Sequence, residues 1–351
     1  MSIGSLLLLI FILGIIILVH ELGHFLWAKK FDVHIYEFSL GMGPVLFSKL
    51  GKDNIKYNIR AIPIGGFVSM AGEVLDDDDE NKIDKSRLMC NKKWYQRLII
   101  LVAGVVNNFI LAIIVLFTMG LIWGGSLITT NVEKVMKDYP FHAAGVQKGD
   151  KITKINGIKV KSWDKAQLVL HMKNKNKHYN FEIMDKEGNK QVHKITPKKE
   201  KNEDGEQVLT FGIGLEVKNM KGFKSSFKYS FKKLFDVLDS MYLTIYGLIT
   251  GKIGVKSLAG PVGMYKIVDS TKVYGIANIL YLVAFLSINV GFINILPFPA
   301  FDGGRILFLI IEKVRRKPID PKLENIFHIV GFILLMILMI YVSINDIIRL
   351  F

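Results

Sequence analysis

Two histidines and a glutamate lie close together near the start of the chain, where residues 20–24 read His-Glu-Leu-Gly-His. On an α-helix, positions i and i+4 share one face, so the imidazoles of His20 and His24 can bind a single metal ion. Glu21 is adjacent and can reach a water molecule at that metal. The spacing of these three residues therefore predicts a catalytic metal site.

The setting of this motif strengthens the prediction, because it lies inside the apolar run Leu6–Ala28. A charged residue at the centre of a membrane helix costs roughly 2.5–3.5 kcal/mol, so ionisable residues at such positions are functional by default. The run could also be a signal peptide, which needs a basic start and a small-residue cleavage site. Residues 1–5 carry no charged side chain and the run continues through the motif, so we interpret it as a retained transmembrane helix.

The whole chain has the composition of a membrane protein. Of its 351 residues 50% are hydrophobic, and the mean hydropathy is +0.33. A membrane-spanning helix needs about 20 apolar residues, and several stretches are long enough. They are Leu6–Ala28, Leu98–Ile122, Ile276–Leu296 and Ile326–Ile344. The sequence thus predicts a polytopic α-helical membrane protein with four transmembrane helices.

A catalytic zinc ion needs a third protein ligand besides the two histidines, with a fourth position left open. The third apolar stretch is followed by Pro297, Pro299, Asp302 and Gly303-Gly304. The prolines should end the helix, which places Asp302 at the same side of the membrane as the motif on the first span. Asp302 is therefore the candidate third ligand. The alternative is a simple helix terminator with an aspartate in solvent.

Basic residues at the ends of the spans predict the orientation of the chain. They are Lys29, Lys30, Lys92, Lys93, Arg97, Arg305, Lys313, Arg315, Arg316 and Lys317. Because short cytoplasmic loops are enriched in Lys and Arg, we expect loops 29–97 and 303–325 in the cytoplasm and both termini outside. The region 124–275 is also rich in lysine, but long translocated segments have little weight in this rule.

The net charge of +15 does not indicate a nucleic-acid partner, because the basic residues are scattered and no nucleic-acid-binding signature accompanies them. Lysines on solvated faces and against anionic lipid headgroups explain the charge better. The only cysteine is Cys90, so an intrachain disulfide and cysteine metal clusters are excluded.

Four parts of the chain follow from these patterns: residues 1–125, 126–216, 217–275 and 276–351. Period-two alternation at residues 55–60 predicts a small sheet of hairpins in loop 29–97, and the acidic run 76–80 there is interpreted as a solvated loop. Region 126–216 reads as a compact β-rich domain whose charged residues 198–206 form a hairpin tip. Region 217–275 has apolar residues at helical spacing with lysines off that stripe, as in a helix at the membrane surface.

These motifs together resemble the site-2 protease family of intramembrane zinc metalloproteases, peptidase family M50, of the bacterial regulator-of-sigma-factor type. The resemblance covers nearly the whole chain. It rests on residues 20–24, 41–44, 63–68, 103–109 and 260–263 and on the series Asn294, Pro297, Asp302, Gly303. Two residues depart from the family pattern, since Val105 replaces a proline and Phe301 a leucine. Both are apolar and neither is a ligand.

The resemblance implies that His20, His24 and Asp302 bind Zn²⁺ and that Glu21 is the general base. It also implies that Asn294 positions the substrate carbonyl, although an asparagine there can instead make a hydrogen bond between helices. The domain at 126–216 is similar to a single PDZ domain. A helical substrate must unwind before its carbonyls can be attacked, and the strands around Gly41–Gly43 and Ile62–Ser69 are expected to provide an edge that pairs with the extended segment.

The function implied by the resemblance is cleavage within or near the transmembrane segments of single-span proteins, such as anti-sigma factors or remnant signal peptides. The expected location is a bacterial plasma membrane, with the PDZ-like domain outside and the active site toward the cytoplasm. One alternative is a membrane-anchored PDZ adaptor with an inactive metal site. Another is a membrane zinc protease that acts on soluble substrates at the membrane face. A transporter is disfavoured, because no repeated halves with broken helices are visible. His328 could support the metal site from behind the ligands or lie at headgroup level, and the second interpretation is favoured.

Overall fold

The computed structural model describes residues 2–73, 83–172, 178–201, 207–317 and 319–349. The chain divides into two compact units, one of Met1–Val115 with Leu258–Phe351 and the other of Leu116–Ser257. The helices are α1 (Ile3–Lys30), α2 (Trp94–Ile122), α3 (Pro140–Ala143), α4 (Trp163–His171), α5 (Phe223–Ile249), α6 (Pro261–Val273), α7 (Ile276–Ile295), α8 (Asp302–Arg315) and α9 (Pro321–Ile348). The strands are β1 (Ile35–Leu50), β2 (Lys56–Met70), β3 (Gly125–Val135), β4 (Lys151–Ile155), β5 (Ile158–Lys159), β6 (Tyr179–Met184), β7 (Lys190–Ile195), β8 (Lys198–Lys201), β9 (Gln207–Thr210) and β10 (Ile213–Met220).

Within the described residues, four helices are long and apolar enough to cross a membrane: α1, α2, α7 and α9. Each corresponds to one of the apolar stretches in the sequence, so the prediction of four transmembrane helices is confirmed. Helix α1 has no acidic residue in its first turn and carries Lys29 and Lys30 in its last. Cations at that end interact favourably with the helix dipole.

Strands β1 and β2 form the small sheet that the alternation at residues 55–60 predicts. Residues 37–40 of β1 pair with residues 66–69 of β2 on one side and with residues 56–59 on the other. Residues 45–50 of β1 pair with the first part of β2. Both strands are therefore bent, and residues 66–70 form one edge of the sheet. The acidic run 76–80 lies outside the described residues.

A hydrophobic core joins this sheet to the helices that carry the motif residues. It contains Phe25, Ala28, Val33, Ile35, Ile55, Val68, Met70, Met89, Ile100, Leu101 and Leu309. Val33, Ile55 and Met89 lie in connections, and the other residues come from α1, β1, β2, α2 and α8, so one buried cluster fixes the end of α1 against the sheet and two other helices.

The segment after the third span contains a helix that was not predicted from the sequence. The two prolines lie in the connection between α7 and α8, as expected, and Asp302 is the first residue of α8. A Cβ atom at Gly303 would lie 2.1 Å from the Leu296 carbonyl oxygen, so only glycine lets α8 start this close to the connection. Periodicity around residues 302–315 could have indicated this helix, which has Asp302 in its first turn and Lys313 and Arg315 in its last.

The second unit, 116–257, contains a sheet with the strand order β10-β3-β4-β6-β7, to which β5 is added through β4. Phe141, Phe181, Ile152 and Ile155 are among its fully buried core residues. Helix α5 packs against this core through Leu243. Strands β8 and β9 form the hairpin expected at residues 198–206, and its tip, residues 202–206, lies outside the described residues. Region 217–275 contains the end of β10 and helices α5 and α6.

Candidate metal centre

Three side chains from two distant parts of the sequence meet in the first unit. The Nε2 atoms of His20 and His24 are 3.2 Å apart. The Oδ2 atom of Asp302 lies 3.1 Å from Nε2 of His20 and 3.4 Å from Nε2 of His24. Both histidines are buried and Asp302 is partly buried. The structure thus brings together the two histidines and the aspartate singled out in the sequence.

This arrangement fits a zinc ion. Ligand atoms about 2.0–2.1 Å from a tetrahedral zinc lie about 3.3 Å from one another, which agrees with the separations above. Oδ2 of Asp302 is buried and, among the described residues, makes no aligned hydrogen bond despite these short contacts. Burial raises the pKa of the Asp302 carboxyl, but the two histidines lower it more and keep it below its usual value. A metal ion binds this side chain in its carboxylate form.

Helix α2 lies against the face of α1 that carries the histidines. A Cβ atom at Gly104 would lie 2.4 Å from Nε2 of His24 and 2.8 Å from Nε2 of His20. A Cβ atom at Gly23 would lie 2.5 Å from the main-chain oxygen of Ala103. Two glycines on facing helices thus permit a close approach, and the space in front of the Nε2 atoms stays open because residue 104 has no side chain.

The other nitrogen of each imidazole also has a partner on α2. Nδ1 of His24 lies 2.8 Å from the main-chain oxygen of Ile100, and Nδ1 of His20 lies 3.3 Å from Nδ2 of Asn108. Such contacts to the outer ring nitrogen fix the orientation and the tautomer of metal-binding histidines.

Glu21 faces strand β2. Its carboxylate interacts with the main-chain N–H of Val68, and a Cβ atom at Gly66 would lie 3.6 Å from its Cγ. The edge of the small sheet at residues 66–70 is therefore next to Glu21.

A cavity of about 520 Å³ opens beside the metal ligands. Its lining residues are Glu21, His24, Phe67, Val68, Met70, Glu73, Leu101, Ala300, Phe301, Asp302, Arg305, His328, Ile329 and Phe332. Arg305 makes an ion pair with Glu73 at its wall. His328, expected at headgroup level, instead lines this cavity, where its Nδ1 accepts a hydrogen bond of 3.2 Å from the Ala300 main-chain N–H.

The remaining candidate residues, Asn294, Gly41 and Gly43, do not line the cavity beside the candidate ligands. Asn294 lies in the last turn of α7, partly buried, and does not line the cavity. Gly41 and Gly43 lie at the bend of β1 with φ angles of 90° and 83°. A Cβ atom at Gly41 would lie 2.6 Å from the Ile62 main-chain oxygen, so the bend requires glycine there.

No role at the site was predicted from the sequence for Gly104 or Asn108, although both lie in stretch 103–109, which resembles the family pattern. The available signal was a glycine and two asparagines inside an apolar span, where polar residues are costly. A place at the cavity was not predicted for Arg305 or Glu73, because each lies in a polar segment in which a charged residue is common. Their proximity becomes visible only when α8 packs beside the end of β2.

Comparison with known proteins agrees with this geometry. The model of the family described as peptidase family M50 matches residues 8–338. A regulator of sigma-W protease, RasP, of Bacillus subtilis is 30% identical over 427 residues, with 100% of this chain and 100% of that protein covered.

Two further relatives are named zinc metalloprotease RasP. The one from Bacillus licheniformis is 32% identical, covering 97% of this chain and 98% of the relative. The one from Oceanobacillus iheyensis is 30% identical, with the same coverage of 97% and 98%. The chain therefore belongs to peptidase family M50, the site-2 protease family, and is a zinc metalloprotease.

Proposed function

We propose that this zinc metalloprotease hydrolyses peptide bonds within or near the transmembrane segments of single-span proteins. The observation that carries the proposal is the position of the metal-binding group. His20 and His24 lie within α1, a helix apolar enough to span a membrane, and Asp302 lies beside them. A protease for soluble substrates has no need to place its ligands in such a segment, where polar residues are costly.

In this proposal His20, His24 and Asp302 are the protein ligands. A zinc ion held by them supplies Lewis acidity, which polarises the peptide carbonyl and lowers the pKa of water to about 7. Glu21 accepts a proton from the attacking water and then donates it to the leaving amine as the peptide bond breaks. The close packing of α1 and α2 at Gly23 and Gly104 keeps the imidazoles in place during these steps.

The edge formed by residues 66–70 is the proposed docking strand for the substrate. A transmembrane helix satisfies its backbone hydrogen bonds internally, so its peptide groups must be exposed by unwinding before cleavage. An extended segment can then add to a sheet edge. Support comes from the contact of Val68 and Gly66 with Glu21, because a strand added there would pass the general base.

We assign supporting roles to the remaining candidate residues. Asn294, eight positions before Asp302, is proposed to donate its amide to the substrate carbonyl or the developing oxyanion. Gly41 and Gly43 are proposed to shape the docking sheet through the bend of β1, which needs their left-handed backbone.

Anti-sigma factors and remnant signal peptides are the proposed substrates. The Bacillus subtilis relative is named a regulator of sigma-W protease, which supports the first class. The β-rich unit, with its strand order β10-β3-β4-β6-β7 and helix α4, is proposed to be a PDZ-like domain that selects or filters substrates. From the basic flanks of the spans we propose that this unit and both termini are extracytoplasmic in a bacterial plasma membrane, with the metal centre toward the cytoplasm.

The test is reconstitution of the full chain in liposomes with anti-sigma and signal-peptide transmembrane substrates. Wild type is compared with Glu21→Gln, and Glu133→Gln in β3 serves as a control for loss of one carboxylate. We expect wild type and the control to cleave, and Glu21→Gln to keep one zinc ion but lose cleavage by about 10³-fold or more.

Two results would contradict the proposal. Cleavage by Glu21→Gln at the wild-type rate would remove Glu21 as the base. Bound zinc without cleavage of any transmembrane substrate, combined with cleavage of a soluble peptide, would favour a protease acting at the membrane face.

A further inference from the structure

The two metal-binding histidines are supported differently at their outer ring nitrogens. Nδ1 of His24 faces a main-chain oxygen, that of Ile100, at 2.8 Å. Nδ1 of His20 faces a side chain, the amide of Asn108, at 3.3 Å. A main-chain oxygen is an acceptor whatever the residue, whereas the support of His20 depends on one particular side chain.

Asn108 is held firmly in this position. The residue is fully buried, and its main-chain oxygen accepts a hydrogen bond of 2.8 Å from the Ser287 hydroxyl of α7. A Cβ atom at Gly291, one turn further along α7, would lie 3.4 Å from the Cβ of Asn108. Helix α7 therefore closes over the asparagine and leaves its amide against His20.

The amide carries one unused hydrogen-bonding atom. Its Oδ1 is buried and has no hydrogen-bond partner among the described residues, while its Nδ2 faces the ring. If Nδ2 of the amide faces the ring, Nδ1 of His20 must be the acceptor and the ring proton must be on Nε2, next to Asp302. That tautomer suits a hydrogen bond to the carboxylate but cannot bind a metal through Nε2.

Metal binding requires the other tautomer, with a lone pair on Nε2 and the proton on Nδ1. The oxygen and the nitrogen of an amide have nearly the same shape, so a rotation of about 180° at the end of the side chain exchanges them. The rotation brings the unpaired Oδ1 to Nδ1 and gives the ring proton an acceptor.

We propose that Asn108 is a positioning residue of the metal centre, whose side-chain oxygen accepts the Nδ1–H of His20 and so fixes His20 in its metal-binding tautomer. This inference rests on the proposed ligand role of His20. Asn108 touches neither substrate nor metal, and it acts only through the imidazole. Asn107 has a different task, because its Nδ2 donates a hydrogen bond of 3.2 Å to the Val19 main-chain oxygen.

The two asparagines allow a matched experiment. Each connects α2 to α1 through one amide contact, but only Asn108 contacts a ligand. The variants are Asn108→Leu, Asn107→Leu and Asn108→Asp in the full chain. The measurements are the zinc dissociation constant by chelator competition and the visible d–d spectrum of the Co²⁺-substituted protein. Size-exclusion profiles check folding.

We expect Asn108→Leu to weaken zinc binding about 10- to 100-fold, as loss of an outer partner of a ligand does. Asn107→Leu should change it less than about threefold, because a hydrogen bond between helices is removed without touching a ligand. Asn108→Asp keeps an acceptor at the same position and should restore binding to within about threefold of wild type. The Co²⁺ spectrum should change only in Asn108→Leu.

Equal zinc affinities for Asn108→Leu and Asn107→Leu would overturn the inference and leave the proposed metal site intact. Zinc binding by Asn108→Asp as weak as that of Asn108→Leu would also overturn the inference, because a hydrogen-bond acceptor at this position would then have no role. If the leucine variants do not fold, Asn108→Ala and Asn107→Ala repeat the comparison with smaller side chains. A wild-type protein that binds no zinc would instead contradict the proposed ligand set.

Discussion

The turn of α1 that carries the motif has two very different neighbours, helix α2 and strand β2. Helix α2 approaches the imidazoles so closely that a single methyl group at Gly104 would overlap Nε2 of His24, at 2.4 Å. Strand β2 makes no such overlap with Glu21: a methyl group at Gly66 would lie 3.6 Å from its Cγ, and the carboxylate interacts with the main-chain N–H of Val68. The same turn is thus tightly packed beside the candidate ligands and meets the strand at ordinary contact distance beside the proposed base.

This difference suggests a division of tasks. Helix α2 contacts both imidazoles, through Ile100 and Asn108 at their outer nitrogens. Strand β2 contacts Glu21 and lines the cavity. Changes in α2 should therefore affect metal binding first, and changes in β2 should affect cleavage while the metal stays bound.

The largest effect is expected from Gly104→Ala. Its added methyl would meet Nε2 of both histidines at under 3 Å, where the ring atoms are fixed by their outer partners and the α2 backbone cannot easily move. We expect zinc affinity to fall by at least about 100-fold and cleavage to be lost. The measurement is zinc content by mass spectrometry after dialysis against a chelator.

Gly14→Ala is the matched control, because this glycine is also in α1 and a Cβ atom there would have no neighbour within 4 Å. It should keep its zinc and gain slightly in helix propensity. Full zinc occupancy in Gly104→Ala would show that the close contact with α2 does not limit the metal site.

The parts of the centre that the sequence could predict are those that depend on local spacing. The i, i+4 pair of His20 and His24 follows from helix geometry, and the four spans follow from apolar length. Asp302 was predicted from its place after a span, although its position at the start of α8 was not. The resemblance to the family implies roles for these residues, but it does not give the distances between their side chains.

The unpredicted parts depend on contacts between distant segments. Asn107 and Asn108 are adjacent and look equivalent in the sequence, and only the packing of α2 on α1 gives one a ligand and the other a main-chain oxygen. His328 was expected among headgroups from its depth along α9. It lines the cavity because α9 packs on the connection before α8, where a Cβ atom at Gly331 would overlap Pro299.

A smaller effect, restricted to catalysis, is expected from Val68→Pro on the β2 side. Proline removes the main-chain N–H that interacts with Glu21 and interrupts the edge to which the substrate is proposed to add. We expect cleavage to fall about 10- to 100-fold, which corresponds to about 1.4–2.7 kcal/mol, the order of one or two lost hydrogen bonds, with zinc content unchanged. The measurement is the cleavage rate of a transmembrane substrate per bound zinc.

Val68→Ala is the control, since it removes side-chain packing but keeps the N–H. It should retain most of the activity per folded molecule, although its stability falls because Val68 belongs to the buried core. Similar losses of cleavage in both variants would mean that packing of the strand, and not its hydrogen-bonding edge, matters for the reaction.

The smallest effect is expected one strand further from the metal, at Glu37. Its carboxylate accepts hydrogen bonds of 2.7 Å from Arg60 and 2.5 Å from Asn58, and these bonds connect β1 to the first part of β2. Glu37→Gln keeps the shape of the side chain and removes its charge, so the sheet should loosen by about 1 kcal/mol without rearranging. We expect the KM for a transmembrane substrate to rise about fivefold, with kcat and zinc content unchanged.

Glu37→Gln is the most sensitive test of whether helix α2 and strand β2 have separate tasks. Residues 37–40 pair directly with residues 66–69, so a loosened sheet moves the proposed docking edge before it moves anything on α1. A rise in KM alone would show that β2 acts on substrate binding and is separate from the metal site. A parallel loss of zinc would show instead that the sheet supports the histidines through the core shared by Phe25, Val68 and Ile100, and the two neighbours of the motif would then form one unit.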